Sequence, residues 1–249
     1  MSAVKLYGHA SSDFDAKLAE TEQVLERVGS EFSPLTLACS LGAEDMVLVH
    51  LLHRLARPAS IFVLETGKLH DQTLALIVQI ESRYGFKLDL YRPQAGAGEA
   101  FEQAHGLDAM YKSQGLRKAC CGVRKMEPLS RALASKKAWI TGLRREQSQA
   151  RAQVELIEAD GLERHKINPL ARWTTGDVWH YIGQQAIPYN ALHDQFFPSI
   201  GCAPCTRAVT LGEDFRSGRW WWESESAKEC GLHVKDAAVS IIPVKKVSA

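Results

Sequence analysis

Four of the six cysteines in this 249-residue chain fall into two clusters, Cys120-Cys121 and Cys202-Ala203-Pro204-Cys205. Four thiolates suit a structural zinc ion or an iron–sulfur cluster. Adjacent cysteines are an unusual bite for one tetrahedral ion, whereas two neighbours can ligate two irons of one cubane. The spacing therefore favours a [4Fe–4S] cluster held by Cys120, Cys121, Cys202 and Cys205 over zinc. Lys118, Arg124 and Lys125 flank the first pair, and nearby cations stabilise a net anionic cluster. Lys125 could also reach a substrate anion. Cys39 sits in an apolar run and reads as a small buried hydrophobe. Cys230 differs: Lys228-Glu229-Cys230-Gly231-Leu232-His233 is polar and contains glycine, which suits an accessible thiol whose ionised form is a nucleophile.

A second chemistry is anion binding. Three polar, Gly-containing stretches each follow an apolar run: Ser40-Leu41-Gly42-Ala43-Glu44-Asp45, Glu65-Thr66-Gly67-Lys68, and Gly142-Leu143-Arg144-Arg145-Glu146-Gln147-Ser148. If the runs are parallel strands, these loops converge on one edge of the sheet, where ligands bind. There a helix N-terminus offers free N–H groups to an anion, with Ser40 or Asp45 as the competing helix cap. No Gly-Lys-Ser/Thr follows the first loop, so it is not a Walker loop. Residues 112–151 carry eleven basic and two acidic side chains, a local balance of 11 − 2 = +9. Within that stretch Arg144, Arg145 and Arg151 follow a strand end, where guanidinium groups can clamp phosphate or sulfate oxygens.

The elements that must position these residues alternate in kind. Apolar stripes predict helices over 14–28, 46–55, 69–84, 122–135 and 175–185. Buried strands are expected at 35–39, 61–64, 87–91 and 139–142. Alternation predicts an α/β fold with a mainly parallel sheet and helices on both faces. The texture changes after about residue 165. The division expected is a nucleotide-binding α/β domain over 1–200, carrying the Cys-Cys half of the cluster site, and a small C-terminal arm over 201–249. The arm carries the Cys-x-x-Cys pair and a mobile tail with Cys230. Trp220, Trp221 and Trp222 cannot all face one way, so at least one should be exposed.

Composition narrows the classes. Net charge is 30 − 29 = +1, which argues against a general nucleic-acid coat. The longest apolar runs fall far short of the ~20 residues that span a bilayer. The first thirty residues carry five carboxylates and no apolar core, so no secretory leader is expected. Reduced thiols and a cytoplasmic setting follow.

Together the motifs resemble a known family. Cys120-Cys121-Gly122-Val123-Arg124-Lys125, Gly201-Cys202-Ala203-Pro204-Cys205-Thr206-Arg207 and Glu229-Cys230-Gly231-Leu232-His233 are similar to the assimilatory adenylyl-sulfate (APS) reductases. Leu64-Glu65-Thr66-Gly67-Lys68, the 142–148 stretch and Lys166-Ile167-Asn168-Pro169-Leu170-Ala171 resemble the wider family, which includes enzymes acting on 3′-phosphoadenylyl sulfate (PAPS). The resemblance implies an adenine-nucleotide hydrolase-like fold with Ser40, Leu41 and Gly42 in a modified pyrophosphatase loop. It implies a [4Fe–4S] cofactor on the four clustered cysteines and Cys230 as the nucleophile. Thr66, Gly67, Lys125, Arg144, Arg145, Arg216 and Arg219 are the expected substrate contacts. It further implies thioredoxin or glutaredoxin as reductant, a place in sulfate assimilation and cysteine biosynthesis, and a preference for APS. A PAPS reductase or dual-specificity enzyme is the near alternative, a tRNA-thiolating enzyme of the pyrophosphatase group or a zinc-stabilised binding module the remote ones. A homo-oligomer is left open.

Overall fold

The computed structural model describes residues 2–56, 59–161 and 163–224; Cys230, His233 and the end of the tail lie outside them. Six strands form one sheet in the order β3-β2-β1-β4-β6-β5. They are β1 (Leu35–Ala38), β2 (Ser60–Leu64), β3 (Asp89–Tyr91), β4 (Ala138–Ile140), β5 (Ile157–Ala159) and β6 (His165–Ile167). All neighbours are parallel except β5 with β6. Leu37 is the central register point, opposite Ile61 on one side and Ile140 on the other.

The helices are α1 (Ala3–Tyr7), α2 (Phe14–Glu31), α3 (Ala43–Arg54), α4 (Asp71–Tyr84), α5 (Ala97–His105), α6 (Ala109–Lys112), α7 (Gln114–Cys121), α8 (Glu127–Leu133) and α9 (Thr175–Gln184). Successive strand side chains point to opposite faces, and two cores result. Ile61, Val63, Ala138 and Ile140 join the larger one, with α3, α4 and α9. Phe62 and Trp139, the residues between them, join a smaller one built on Leu129 and Leu133 of α8. The expected helix-covered parallel sheet is therefore what forms.

α3 is the most enclosed helix. Met46, Val47, Leu48, Val49 and Leu51 are all fully buried, as a helix caught between a sheet and other helices must be. The helix expected over 122–135 is two pieces: a π-helical turn, Gly122–Met126, runs into α8. The antiparallel β5–β6 edge was not expected, because three-residue strands are too short to show alternation. No helix among the described residues is long and apolar enough to cross a membrane.

Candidate active site and cysteine cavity

Strand order reverses direction at β1: β2 and β3 lie to one side, β4 to the other. Ligands of open α/β sheets bind at that switch point, and a cleft of about 200 Å³ opens there, at the ends of β1, β2 and β4. Its first loop is held by a buried carboxylate. Both the backbone N–H and the hydroxyl of Ser40 donate to Asp45 Oδ2, each at 2.6 Å. Asp45 lies within α3, and Gly42 occupies the N-cap position itself. Burial pushes Asp45 up to about 6; the Ser40 hydrogen bonds oppose this and the charge of Glu44 adds to it. Leu41, between Ser40 and Gly42, is fully buried at a left-handed φ of 65°. That conformation costs a branched residue about 1–2 kcal/mol, and such strain collects at functional loops.

The β4 loop closes onto the same carboxylate. A Cβ on Gly142 would sit 2.5 Å from Asp45 Oδ1, so only glycine fits. Gln147 donates to Glu44 Oε1 at 3.0 Å and accepts from Arg151 Nη1 at 2.6 Å. Gln147 and Arg151 both line the cleft.

Arg144 and Arg145 do not. The Arg144 guanidinium is 1% exposed and spent on Glu44, Glu146, the Trp173 carbonyl and Thr175. Arg145 points to the Val154 carbonyl and Glu155 on the surface. Two of the three expected clamps are thus brackets between loops; the third, Arg151, faces the cleft with Lys125, Arg216 and Arg219. Ser40, Gly42 and Thr66 line it as expected. Leu41 and Gly67, also expected contacts, are not among its lining: Leu41 is fully buried, and Gly67 makes a left-handed turn at φ 71°.

Arg219 is held with care. Its Nη1 donates to the Ile200 carbonyl at 3.2 Å, and its guanidinium lies 4.7 Å from the Trp220 ring centroid. Its Nε is buried without a partner. The guanidinium of Arg117 also lies over the Trp220 ring, 4.6 Å from its centroid, fixed bidentately by Glu223 at 3.0 and 2.7 Å. Trp220 is fully buried, and Trp221 is the exposed member of the trio.

Behind that ring a second, smaller cavity is lined by all four clustered cysteines, with Lys68, Arg117, Arg124 and Lys125 around them. Trp220 and Lys125 line both cavities. The structure therefore brings Cys120 and Cys121, at the end of α7, to Cys202 and Cys205, on a 3₁₀ turn eighty residues later. The π-helical turn after Cys121 carries Arg124 and Lys125. Arg124 reaches the Thr66 carbonyl at 2.8 Å and Glu102 at 2.9 Å, and the Thr66 hydroxyl lies 3.2 Å from Cys202 Sγ. Burial pushes Cys205 up to about 11, with Cys202 adding to it and Lys125 and Arg219 opposing. Among the described residues, no three His, Cys, Asp or Glu side chains gather closely enough to hold a single metal ion.

The sequence reading passed over Glu44, Gln147, His193 and Gly201 as cleft residues. Nothing local marks them: His193 comes from a short 3₁₀ turn far along the chain, Ala191–Gln195. Its ring is buried, and burial brings it down to about 4, so it is neutral.

The comparisons place this geometry. Residues 34–208 match the model of the phosphoadenosine phosphosulfate reductase domain. The chain belongs to that family. Similar members include proteins named adenosine 5′-phosphosulfate reductase from Allochromatium vinosum, 51% identical over 87% of this chain and 85% of that one, and from Burkholderia cepacia, 48% identical over 88% of each. A solved phosphoadenylyl-sulfate reductase of the same family, from Candida auris with phosphate bound, superposes with a TM-score of 0.65. It is 27% identical and covers 76% of this chain and 90% of its own. Candida glabrata FMN adenylyltransferase shares the fold alone, with TM-score 0.56 at 15% identity over 91% of this chain and 83% of its own. The mainly parallel, helix-covered sheet is thus shared with the reductase structure and, as a fold alone, beyond it.

Proposed function

We infer that the chain reduces adenylyl sulfate to sulfite and AMP, as an enzyme of sulfate assimilation. The observation that carries this is the common wall: a cleft with a cationic end, Lys125, Arg216 and Arg219, backs onto a cavity of four cysteines. An anion with an adenine attached suits the cleft. Phe62, Leu129 and Trp139 give its floor an apolar surface for a base. The guanidinium groups meet the phosphosulfate, and the unpartnered Nε of Arg219 gains an acceptor.

In the reaction the Cys230 thiolate attacks the sulfate sulfur, and the S–O bond to AMP breaks. The product is an S-sulfocysteine, and the leaving phosphate gains negative charge beside Lys125, Arg216 and Arg219, where preorganised cations count most. A dithiol protein, thioredoxin or glutaredoxin, then attacks Cys230 Sγ. Sulfite leaves, and a mixed disulfide forms. The second thiol of that protein resolves it, so the dithiol supplies both electrons. Cys230 lies outside the described residues, and its role rests on the Glu-Cys-Gly-Leu-His motif.

The donor set of the second cavity, four thiols lining one space, suits a [4Fe–4S] cluster. Cys120, Cys121, Cys202 and Cys205 would hold it, with the Thr66 hydroxyl donating to Cys202 and Lys68, Arg124 and Lys125 offsetting its charge. Bound there, it supplies a fixed anionic charge next to the cleft and cross-links α7 to the 201–205 segment.

The test is sulfite release from adenylyl sulfate and from its 3′-phosphorylated form, with reduced thioredoxin and anaerobically prepared protein. Preference for adenylyl sulfate, lost in Cys230→Ser with nucleotide binding retained, is the expected result. Turnover of the 3′-phosphorylated form alone would reassign the substrate, and near wild-type sulfite release by Cys230→Ser would overturn the mechanism.

A further inference from the structure

We propose that Trp220 is a positioning residue for Arg219: it holds the guanidinium at the cationic end of the cleft by stacking, and is itself braced by the Arg117–Glu223 pair. The proposal rests on the reading of Arg219 as a contact of the anionic substrate.

Three observations carry it. Trp220 is 1% exposed yet adopts φ 42°, a left-handed backbone that a bulky aromatic residue rarely takes. Strain of that kind persists only where the surroundings over-determine it. The over-determination is visible: two guanidinium groups lie over the ring, at 4.6 and 4.7 Å from its centroid. Arg117 is 1% exposed and tied bidentately to Glu223, so its side of the stack is fixed.

Arg219, by contrast, is sparsely tied. Its described hydrogen-bond partners are the Ile200 carbonyl at 3.2 Å and the Ser199 hydroxyl at 3.5 Å, both on Nη1. Without the ring, a long side chain on so few bonds would regain its rotamer freedom. Desolvated cation–π contacts are worth enough to prevent this. The ring therefore acts on the substrate through Arg219.

Acting through another residue has a signature: the effect must vanish when that residue is gone. The experiment is a double-mutant cycle on the intact, anaerobically prepared protein, with Trp220→Leu, Arg219→Ala and the double variant. The readouts are AMP dissociation constants and KM for adenylyl sulfate. Trp220→Phe, which keeps a ring face, controls for folding. Trp220→Leu should weaken AMP and raise KM by roughly 5- to 30-fold, the range of a desolvated cation–π contact, with Trp220→Phe recovering most of it. In the Arg219→Ala background, Trp220→Leu should change neither value by more than about twofold. Full additivity of the two changes would overturn the proposal, and so would wild-type affinity in Trp220→Leu. If Arg219→Ala alone bound AMP and adenylyl sulfate like the wild type, the reading of Arg219 would fail first, and the proposal with it. If Trp220→Leu does not fold, the same cycle is run with Trp220→Met, and additivity there overturns the proposal equally.

Discussion

Replacing Gly201 by alanine should disable the cleft while leaving the fold intact. Gly201 does not need a glycine backbone, since its φ is not left-handed. What it needs is the absence of a Cβ. A methyl group there would lie 2.3 Å from Arg219 Nη2, 2.6 Å from Cζ and 3.0 Å from Nη1. The clash is with the far end of a flexible side chain, so Arg219 moves and the backbone does not. The movement breaks the Ile200 contact and the Trp220 stack and withdraws one cation from the anion. A charge-assisted hydrogen bond is worth about 1.5–3 kcal/mol, so kcat/KM for adenylyl sulfate should fall roughly 10- to 150-fold, at about 1.4 kcal/mol per decade. Alanine carries slightly less unfolded-chain entropy than glycine, so thermal unfolding should shift by no more than a few degrees. Steady-state sulfite release with differential scanning fluorimetry on the same preparation checks both halves. Unchanged kcat/KM would refute the placement of Arg219. A loss of activity matched by collapse of the fold would refute the reasoning that only the side chain yields.

Opposed titrations predict a pH effect hidden in the wild type. Asp45 binds its proton more tightly folded than unfolded, near 6 against 3.8, so its contribution to stability falls as pH rises through 4–6. His193 binds its proton more weakly folded, near 4 against 6.5, so its contribution rises through 4–6.5. Each is worth on the order of 3 kcal/mol at 1.36 kcal/mol per unit, and they cancel. Asp45→Asn should therefore make the protein visibly acid-sensitive between pH 6.5 and 4 in urea titrations, and His193→Gln should do the reverse; parallel wild-type and variant profiles would contradict this. Asp177 caps α9, accepting from Thr174 N at 2.8 Å and Ser11 N at 2.7 Å and pairing with Lys17, contacts that hold it down at about 2. Asp177→Ala should lower unfolding free energy by about 2 kcal/mol or more without changing KM, and an unaltered melting curve would count against the cap. Cys202→Ser should strip iron and sulfide from about four of each per chain and bleach the visible absorbance; full iron content in that variant would refute the ligand assignment.

The central strands were legible in the sequence because parallel strands buried on both faces are continuous apolar runs, as at Leu35-Thr36-Leu37-Ala38. The cysteine clusters were legible because their chemistry is rare. The arginines were not all legible. Arg144 and Arg219 are identical in type and both buried, yet one spans two loops and the other faces the cleft. Sequence shows which residues can bind an anion, not which ones the fold has already saturated with Glu44 and Glu146. The β5–β6 edge and the His193 turn were invisible for a related reason: their conformations are set by tertiary packing, and short segments carry no period to read.

Cleft and cysteine cavity are both finished by residues late in the sequence, since Trp220 lines each of them. The β1, β2 and β4 loops leave the ribosome in the first 150 residues. The second cysteine pair follows at 202–205, and Trp220 and Glu223, which close the cavity against Arg117, come later still. Translation therefore passes residue 205 before the four thiols can share a pocket, and a chain truncated before residue 220 would leave that pocket without its Trp220 wall.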